Sequence, residues 1–349
     1  MLRQPQETQT VYAELSERVA AYEAARSFSS LKGGFVTKHI SGADYWYFKT
    51  SANPAGQREY AVGRDTPATR AVIAAYQKDR AAVEEVEAGI ARLCAMLRQG
   101  GALMTDRVSA KVISGLASAG VFRLGGVLVG THAYIALGNV LGVRWQSSLS
   151  TQDIDILASP VLEVAIGHVE ADLPATLESL NMGFLPVPGL DPRRAETSFS
   201  VRGKTLRVDL LTPARGKRDG KPVRIPRLKA SAQPLEFLDY LLEKPIDVPI
   251  VNGGATLVKA PDPARFALHK LIVSMDRPVT QQTKSAKDRQ QAAEILDVLM
   301  QDRPGDIELA AENIRARGPG WCKRLSKGAT RLPDSLMDVK QHLLTLIDK

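Results

Sequence analysis

The chain has 349 residues, of which 44% are hydrophobic, 24% charged and 5% aromatic. That is the make-up of a folded globular protein and excludes a disordered, collagenous or coiled-coil chain. Cys94 and Cys322 stand far apart with no CxxC partner, which argues against a disulfide framework or a cysteine zinc site and fits a reducing cytoplasm. The formal net charge of +8 favours polyanionic partners such as nucleic acid or nucleotides.

Residues 1–10 are polar and carry no apolar signal core, so a cytoplasmic location is expected. Leu15, Val19 and Tyr22 recur at helical spacing and predict a helix over 11–27. From 34 to 63, turn signals at Ser41-Gly42 and around Asn53-Pro54-Ala55-Gly56 divide β-rich runs and predict a three-stranded meander. A long helix over 66–98, with Pro67 at its start, closes at Gly100-Gly101. These elements define an N-terminal region, 1–105.

Residues 106–234 alternate. Helix is expected around 107–117, strand at 122–129, helix over 131–141, strand at 153–157, helix around 168–180, and a hairpin of 198–202 with 205–211. The glycines of 124–143 break up that apolar stretch and favour a buried strand, turn and helix over a membrane span, so no membrane partner is expected. After Pro234 helices dominate, at 235–243, 263–275, 284–301, 306–315 and 335–347, with a hairpin around Asn252-Gly253-Gly254. The fold class expected is α+β: a mixed sheet flanked by helices in 106–234, with a mainly helical region, 235–349, behind it.

The chain lacks a phosphate loop of the GxxxxGK[ST] type, a GxGxxG fingerprint and an HExxH helix. What it has is a set of carboxylates. In Thr151-Gln152-Asp153-Ile154-Asp155-Ile156, strand alternation puts Asp153 and Asp155 on one face and the isoleucines on the other. Paired carboxylates repel unless a cation lies between them, and an oxygen-only set suits Mg²⁺ or Mn²⁺. In Leu206-Arg207-Val208-Asp209-Leu210-Leu211, Asp209 shares the polar face with Arg207; packed beside the first strand it would complete a site for two ions, about 3.5–4 Å apart, in an in-line displacement. Upstream, Val127 to Tyr134 read as a strand, a glycine turn at Gly130 and a helix capped by Thr131, where backbone N–H groups can approach phosphate. An exposed strand face for the acids and a tight packing turn for Gly130 are the structural alternatives.

The order Gly130-Thr131, then Asp153 and Asp155, then Asp209, resembles the nucleotidyltransferases of the DNA polymerase β superfamily. The stretches VGTHAYIALGNVLGVRW and TQDIDI, with FALHKLIVSMDR and KSAKDRQQAAEIL further on, resemble a bacterial nucleotidyltransferase-like branch. The resemblance implies a polymerase-β-like nucleotidyltransferase core, with Asp153, Asp155 and Asp209 as catalytic metal ligands for two Mg²⁺ (or Mn²⁺) ions. It also implies that Gly130 and Thr131 cradle phosphate and that Lys270 and Lys287 are nucleotide-binding cations. Two departures stand out: the turn lies well upstream of the first acid, and Thr131 replaces the commoner serine. Arg144, in the lengthened segment, either points toward the nucleotide or solvates its loop, the loop being favoured, and His132 and His269 are read as core histidines with satisfied hydrogen bonds.

Residues 193–229 carry twelve Lys or Arg against three acids, and Arg215, Lys217 and Arg218 are the candidates for tracking a phosphate backbone. In Tyr45-Trp46-Tyr47-Phe48, only half of the rings can share a face; Tyr45 and Tyr47 are the candidates for stacking on bases. Together these readings predict a Mg²⁺-dependent nucleotidyltransferase moving an NMP from an NTP to an acceptor hydroxyl, most plausibly on RNA such as tRNA. Transfer to a protein or small molecule, or an inactive nucleic-acid-binding or antitoxin-type module, are the alternatives. The oligomeric state is not legible.

Overall fold

The computed structural model describes residues 1–25, 30–50, 59–146, 151–160, 170–189, 191, 193–214 and 220–348. A short strand β1 (Leu2–Arg3) leads into helix α1 (Gln6–Ala24), followed by strands β2 (Gly33–Ile40), β3 (Ala43–Thr50) and β4 (Glu59–Arg64) and helices α2 (Pro67–Gln99) and α3 (Arg107–Ser118). The middle of the chain holds β5 (Val127–Val129), α4 (Gly130–Val140), β6 (Val143–Arg144), β7 (Asp153–Leu157), α5 (Leu173–Ser179), β8 (Phe184–Pro186), β9 (Ser198–Val201), β10 (Arg207–Pro213), β11 (Val223–Ile225) and β12 (Ala230–Leu235). The rest is α6 (Asp239–Leu242), a hairpin of β13 (Ile246–Val251) and β14 (Ala255–Ala260), then α7 (Pro263–Asp276), α8 (Gln282–Asp302), α9 (Pro304–Ala316), α10 (Pro319–Ala329) and α11 (Met337–Asp348).

Side-chain caps start α2, α3 and α7, a feature not singled out from the sequence. Thr66 Oγ1 accepts from the Thr69 N–H ahead of α2, the Asp106 carboxylate accepts from the Val108 and Ser109 N–H groups ahead of α3, and Asp262 does the same for α7. Four expectations need correction. The strand at 122–129 is only Val127–Val129, because Gly125 and Gly126 donate back to the Phe122 and Val121 carbonyls and hold the preceding residues in a turn. Helix α4 begins at Gly130 with Val129 in the cap position, so Thr131 is not its cap. The helix expected at 235–243 shrinks to Asp239–Leu242 because Ala230–Leu235 completes the sheet as β12. Helix α10 was not expected; Pro319 occupies its first turn, where its missing N–H costs nothing. Part of the helix predicted around 168–180 lies outside the described residues, and α5 supplies the remainder.

The central sheet runs β11-β12-β10-β7-β5, with β9 pairing β10 and carrying β8 beyond it. Strand β10 is parallel to β7 along one edge; its other edge is shared by β9, antiparallel at residues 207–209, and β12, parallel at 211–213. Strand β5 is antiparallel to β7. Alternation holds: Ile154, Ile156, Val208 and Leu210 are fully buried, while the acids between them face the other way. The resulting core continues without a break through α3, α4 and the C-terminal helices.

Helices α1 and α2 pack Tyr12, Leu15, Val19, Leu93 and Leu97 around Val251 of β13. The meander β2-β3-β4 rests its Phe48 on Phe35 and on Tyr76 of α2, edge to face at 5.2 and 5.4 Å. No helix among the described residues is long and apolar enough to cross a membrane.

Candidate active site

The parallel register of β7 and β10 sets Asp209 directly beside Asp155 and Arg207 beside Asp153. Neighbouring strands lie about 4.8 Å apart, so the Asp155 and Asp209 carboxylates leave the sheet side by side on its polar face. Burial, and next the charge of Asp209, push the Asp155 acid up to about 6. No hydrogen bond or ion pair holds the Asp155 carboxylate among the described residues. Asp209 is different: its Oδ1 accepts from Ser198 Oγ and, at 2.7 Å, from Arg207 Nε, and Arg207 Nη2 donates to Ser198 Oγ at 2.8 Å. Asp153 stands exposed at the outer end of the same strand face. The structure therefore brings Asp155 and Asp209 together and leaves Asp153 at the rim; among the described residues no three acidic, histidine or cysteine side chains are gathered at metal-binding spacing.

Gly130 is fixed by this pair. Val129 is the antiparallel neighbour of Asp155, and the chain turns at Gly130 with φ +68°. A Cβ there would lie 2.2 Å from Asp155 Oδ2, so a side chain would occupy the carboxylate's own space. Thr131 follows, buried in the first turn of α4. Gly130 and Thr131 thus line the same cavity as the acids, and the group that presses on Gly130 is Asp155.

Across a cavity of about 980 Å³, lined on one side by Gly130, Thr131 and the three acids, lies a basic wall from α7 and α8. It holds Lys270, Arg277, Lys284 and Lys287. Lys270 and Lys284 oppose the rise of the Asp155 acid, and burial, followed by Lys270, lowers the Lys287 ammonium, so the two walls are within electrostatic reach. Lys270 and Lys287, singled out from the sequence, both reach the cavity. Arg277, Lys284 and Asp288 were missed; 284 and 288 lie one turn apart on α8, a spacing that carries a signal, whereas Arg277 follows the last residue of α7 with extended backbone. Beyond the charges the cavity is walled by apolar side chains including Leu211, Phe237, Leu238 and Phe266.

His132 and His269 are buried as expected, but neither ring nitrogen of either finds a hydrogen-bond partner among the described residues. Burial first, with nearby lysines adding to it, keeps both neutral, at about 4 for His132 and about 3 for His269. Arg144 sits on β6 opposite Leu2, outside the cavity lining. On the meander, Tyr45 and Tyr47 share the face opposite Phe48, and the Lys38 ammonium lies 4.8 Å from the Tyr47 ring centre. Arg215, Lys217 and Arg218 lie outside the described residues.

A family model described as nucleotidyltransferase matches residues 107–315, well over half of the chain. The chain belongs to this nucleotidyltransferase family, and its mixed sheet flanked by helices is consistent with such a fold. No curated protein and no solved structure matches it. The matched span runs from α3 through α9 and includes both walls of the cavity.

The donor set fits a hard divalent cation. Asp155 is a carboxylate set beside a second carboxylate, with no hydrogen bond or ion pair to it among the described residues, and the two acids offer oxygen ligands only. Asp209 Oδ2 takes no part in the contacts to Ser198 and Arg207, which are made by Oδ1.

Proposed function

We propose that this protein transfers a nucleoside monophosphate from an NTP to an acceptor hydroxyl in a Mg²⁺-dependent reaction, with RNA as the acceptor. The observation that carries the reading is the in-register pair Asp155 and Asp209, faced across one cavity by four cations. Asp155 and Asp209, with Asp153 at the rim, would hold the Mg²⁺ (or Mn²⁺) ions, two in the full reading, and the metal would supply neutralisation of phosphoryl charge.

The chain's own groups do the rest. The acceptor oxygen forms a bond to the α-phosphorus as the bond to the β-phosphate oxygen breaks, and pyrophosphate leaves. Asp209 takes the acceptor proton, its Oδ1 being oriented by Ser198 and Arg207. Gly130 and Thr131 let the start of α4 face the phosphates, where N–H groups favour anions. Lys270 and Lys287 stabilise the charge that develops on pyrophosphate. The apolar wall at Phe237, Leu238 and Phe266 is suited to the base.

RNA is favoured as acceptor by the basic run of residues 193–229, within which Asp209 falls in the sequence, and by the Tyr45 and Tyr47 face with the Lys38 ammonium over Tyr47. Incubation with Mg²⁺, total cellular RNA and protein, and each NTP labelled at the α or the γ phosphate, tests this. Label should enter RNA from the α position only. Label in protein or in a small molecule instead changes the acceptor class. An inactive binding module is the second reading, favoured by the hold of Arg207 on Asp209; it predicts RNA binding with no transfer from either position.

A further inference from the structure

The buried carboxylate on the basic wall has no role in the transfer described above. Asp288 is 3% exposed, yet it is charged: burial alone would raise its acid, but the Lys270 and Arg277 charges and hydrogen bonds outweigh that and hold it below the usual carboxylate value. Its two oxygens are divided between a cation of α7 and one that directly follows that helix. Oδ1 accepts from Lys270 Nζ at 2.6 Å, and Oδ2 accepts from Arg277 Nε at 2.6 Å. The clamp rests on a stiff joint, because Ser285 Oγ donates to the Ser274 carbonyl at 2.6 Å and ties α8 to α7.

Each cation keeps donors to spare. Lys270 has three N–H groups and offers one to Asp288 while its ammonium lies 5.2 Å from the Phe266 ring centre. Arg277 gives Nε to Asp288 and Nη1 to Gln281 at 3.2 Å, so Nη2 takes part in neither bond. Lys270 on α7 and Arg277 just past its end are two like charges that would separate without the anion between them. A buried ion pair of this kind contributes little net stability but holds its members in one geometry.

We propose that Asp288 is a positioning residue: its carboxylate fixes Lys270 and Arg277 as a two-cation fork for the outer phosphates of the triphosphate. The inference rests on the nucleotidyl-transfer reading and adds to it the residue that sets triphosphate over monophosphate recognition. The fork faces the acids across the cavity, so outer phosphates on the basic wall leave the α-phosphate toward Asp155 and Asp209. A fixed pair of cations avoids the ordering cost that two free long side chains would add at binding.

Calorimetric titration of α,β-methylene analogues of the four ribonucleoside triphosphates and of the matching monophosphates, with Mg²⁺, separates this from a structural role. In Asp288→Asn the triphosphate analogue should bind at least tenfold more weakly than to the parent, while monophosphate affinity changes less than twofold. A purely structural Asp288 would lower the melting temperature and shift both affinities by the same factor, which overturns the proposal. If Asp288→Asn does not fold, the charge-balanced pair Lys270→Gln, Asp288→Asn is compared with Lys270→Gln alone. The second substitution should cost a further severalfold in triphosphate affinity by releasing Arg277, and equal affinities overturn the proposal. Absence of triphosphate binding by the parent would reject the transfer reading itself and this inference with it, whereas parent binding that Asp288→Asn matches rejects the inference alone.

Discussion

Asp155 and Asp209 stand opposite one another in register on parallel strands, with Gly130 packed so close to Asp155 that a single added carbon would meet its carboxylate. Two acids pressed together at a cavity mouth are unfavourable for the fold by itself. Burial and the neighbouring Asp209 charge raise the Asp155 acid, and in the proposed reading a shared divalent cation would offset that cost.

That cost sets a pH dependence. The folded-state value of Asp155, about 6, lies above its ordinary value of 3.8. The associated stability is therefore full below about pH 4 and is lost as pH rises through 6. Asp155→Asn should leave the metal-free protein more stable than the parent at pH 8, by up to about 3 kcal/mol, with the difference vanishing near pH 4. Mg²⁺ should raise the parent's melting temperature at pH 8 and leave that of Asp155→Asn unchanged. Urea melts of both proteins from pH 4 to 8, with and without Mg²⁺, measure this.

Gly130→Ala should destabilise by about 1–2 kcal/mol from its positive φ alone and should also displace the Asp155 carboxylate. Gly203 is the control, because it has φ +74° and open space around its Cβ position. Gly203→Ala should carry the backbone cost but retain the Mg²⁺ response, and Gly130→Ala should lose it. Equal Mg²⁺ responses in the two variants would show that the turn merely packs.

The two buried histidines set the acid limb. Both have folded values below the ordinary 6.5, so their stability is present above about pH 6.5 and is lost as pH falls toward 4 and 3. His132→Gln cannot take up the proton, and its urea melts should lose about 3 kcal/mol less than the parent's between pH 7 and 4.

How much of this was legible in the sequence follows from the range of each interaction. The strand faces of Asp153, Asp155 and Asp209 were legible because a period of two is local and the alternating Ile154, Ile156, Val208 and Leu210 declare the core. Their register was not, since pairing of β7 with β10 spans a long stretch of chain. Asp288 was missed because Lys284 to Gln290 looks like a solvated helix face. Only the packing of α7 on α8 buries it and supplies Lys270 and Arg277. Arg207 reads as one more residue of a basic run, and its contact with Asp209 depends on Ser198 arriving from β9. Among the described residues the ring nitrogens of His132 and His269 find no partner, against the ordinary rule for buried polar groups, and no local pattern announces this.

If the basic run and the meander serve one RNA, log affinity should fall steeply with log salt, and neutralising Arg215, Lys217 and Arg218 together should flatten the slope by about one unit per lost phosphate contact. Tyr47→Ala should weaken RNA binding by about 1–3 kcal/mol without changing NTP binding, since Tyr47 does not line the cavity. Filter binding across a salt series gives both numbers.

The most direct test of the account is transfer of α-labelled NMP to total RNA by the parent and by Asp155→Asn, a variant that keeps the shape and the fold and removes one charge. The parent should label RNA with Mg²⁺ and release pyrophosphate, whereas Asp155→Asn, and the parent in EDTA, should lose activity by about a thousandfold or more, as expected when charge stabilisation worth several kcal/mol is withdrawn. Parent-like transfer by folded Asp155→Asn would contradict it.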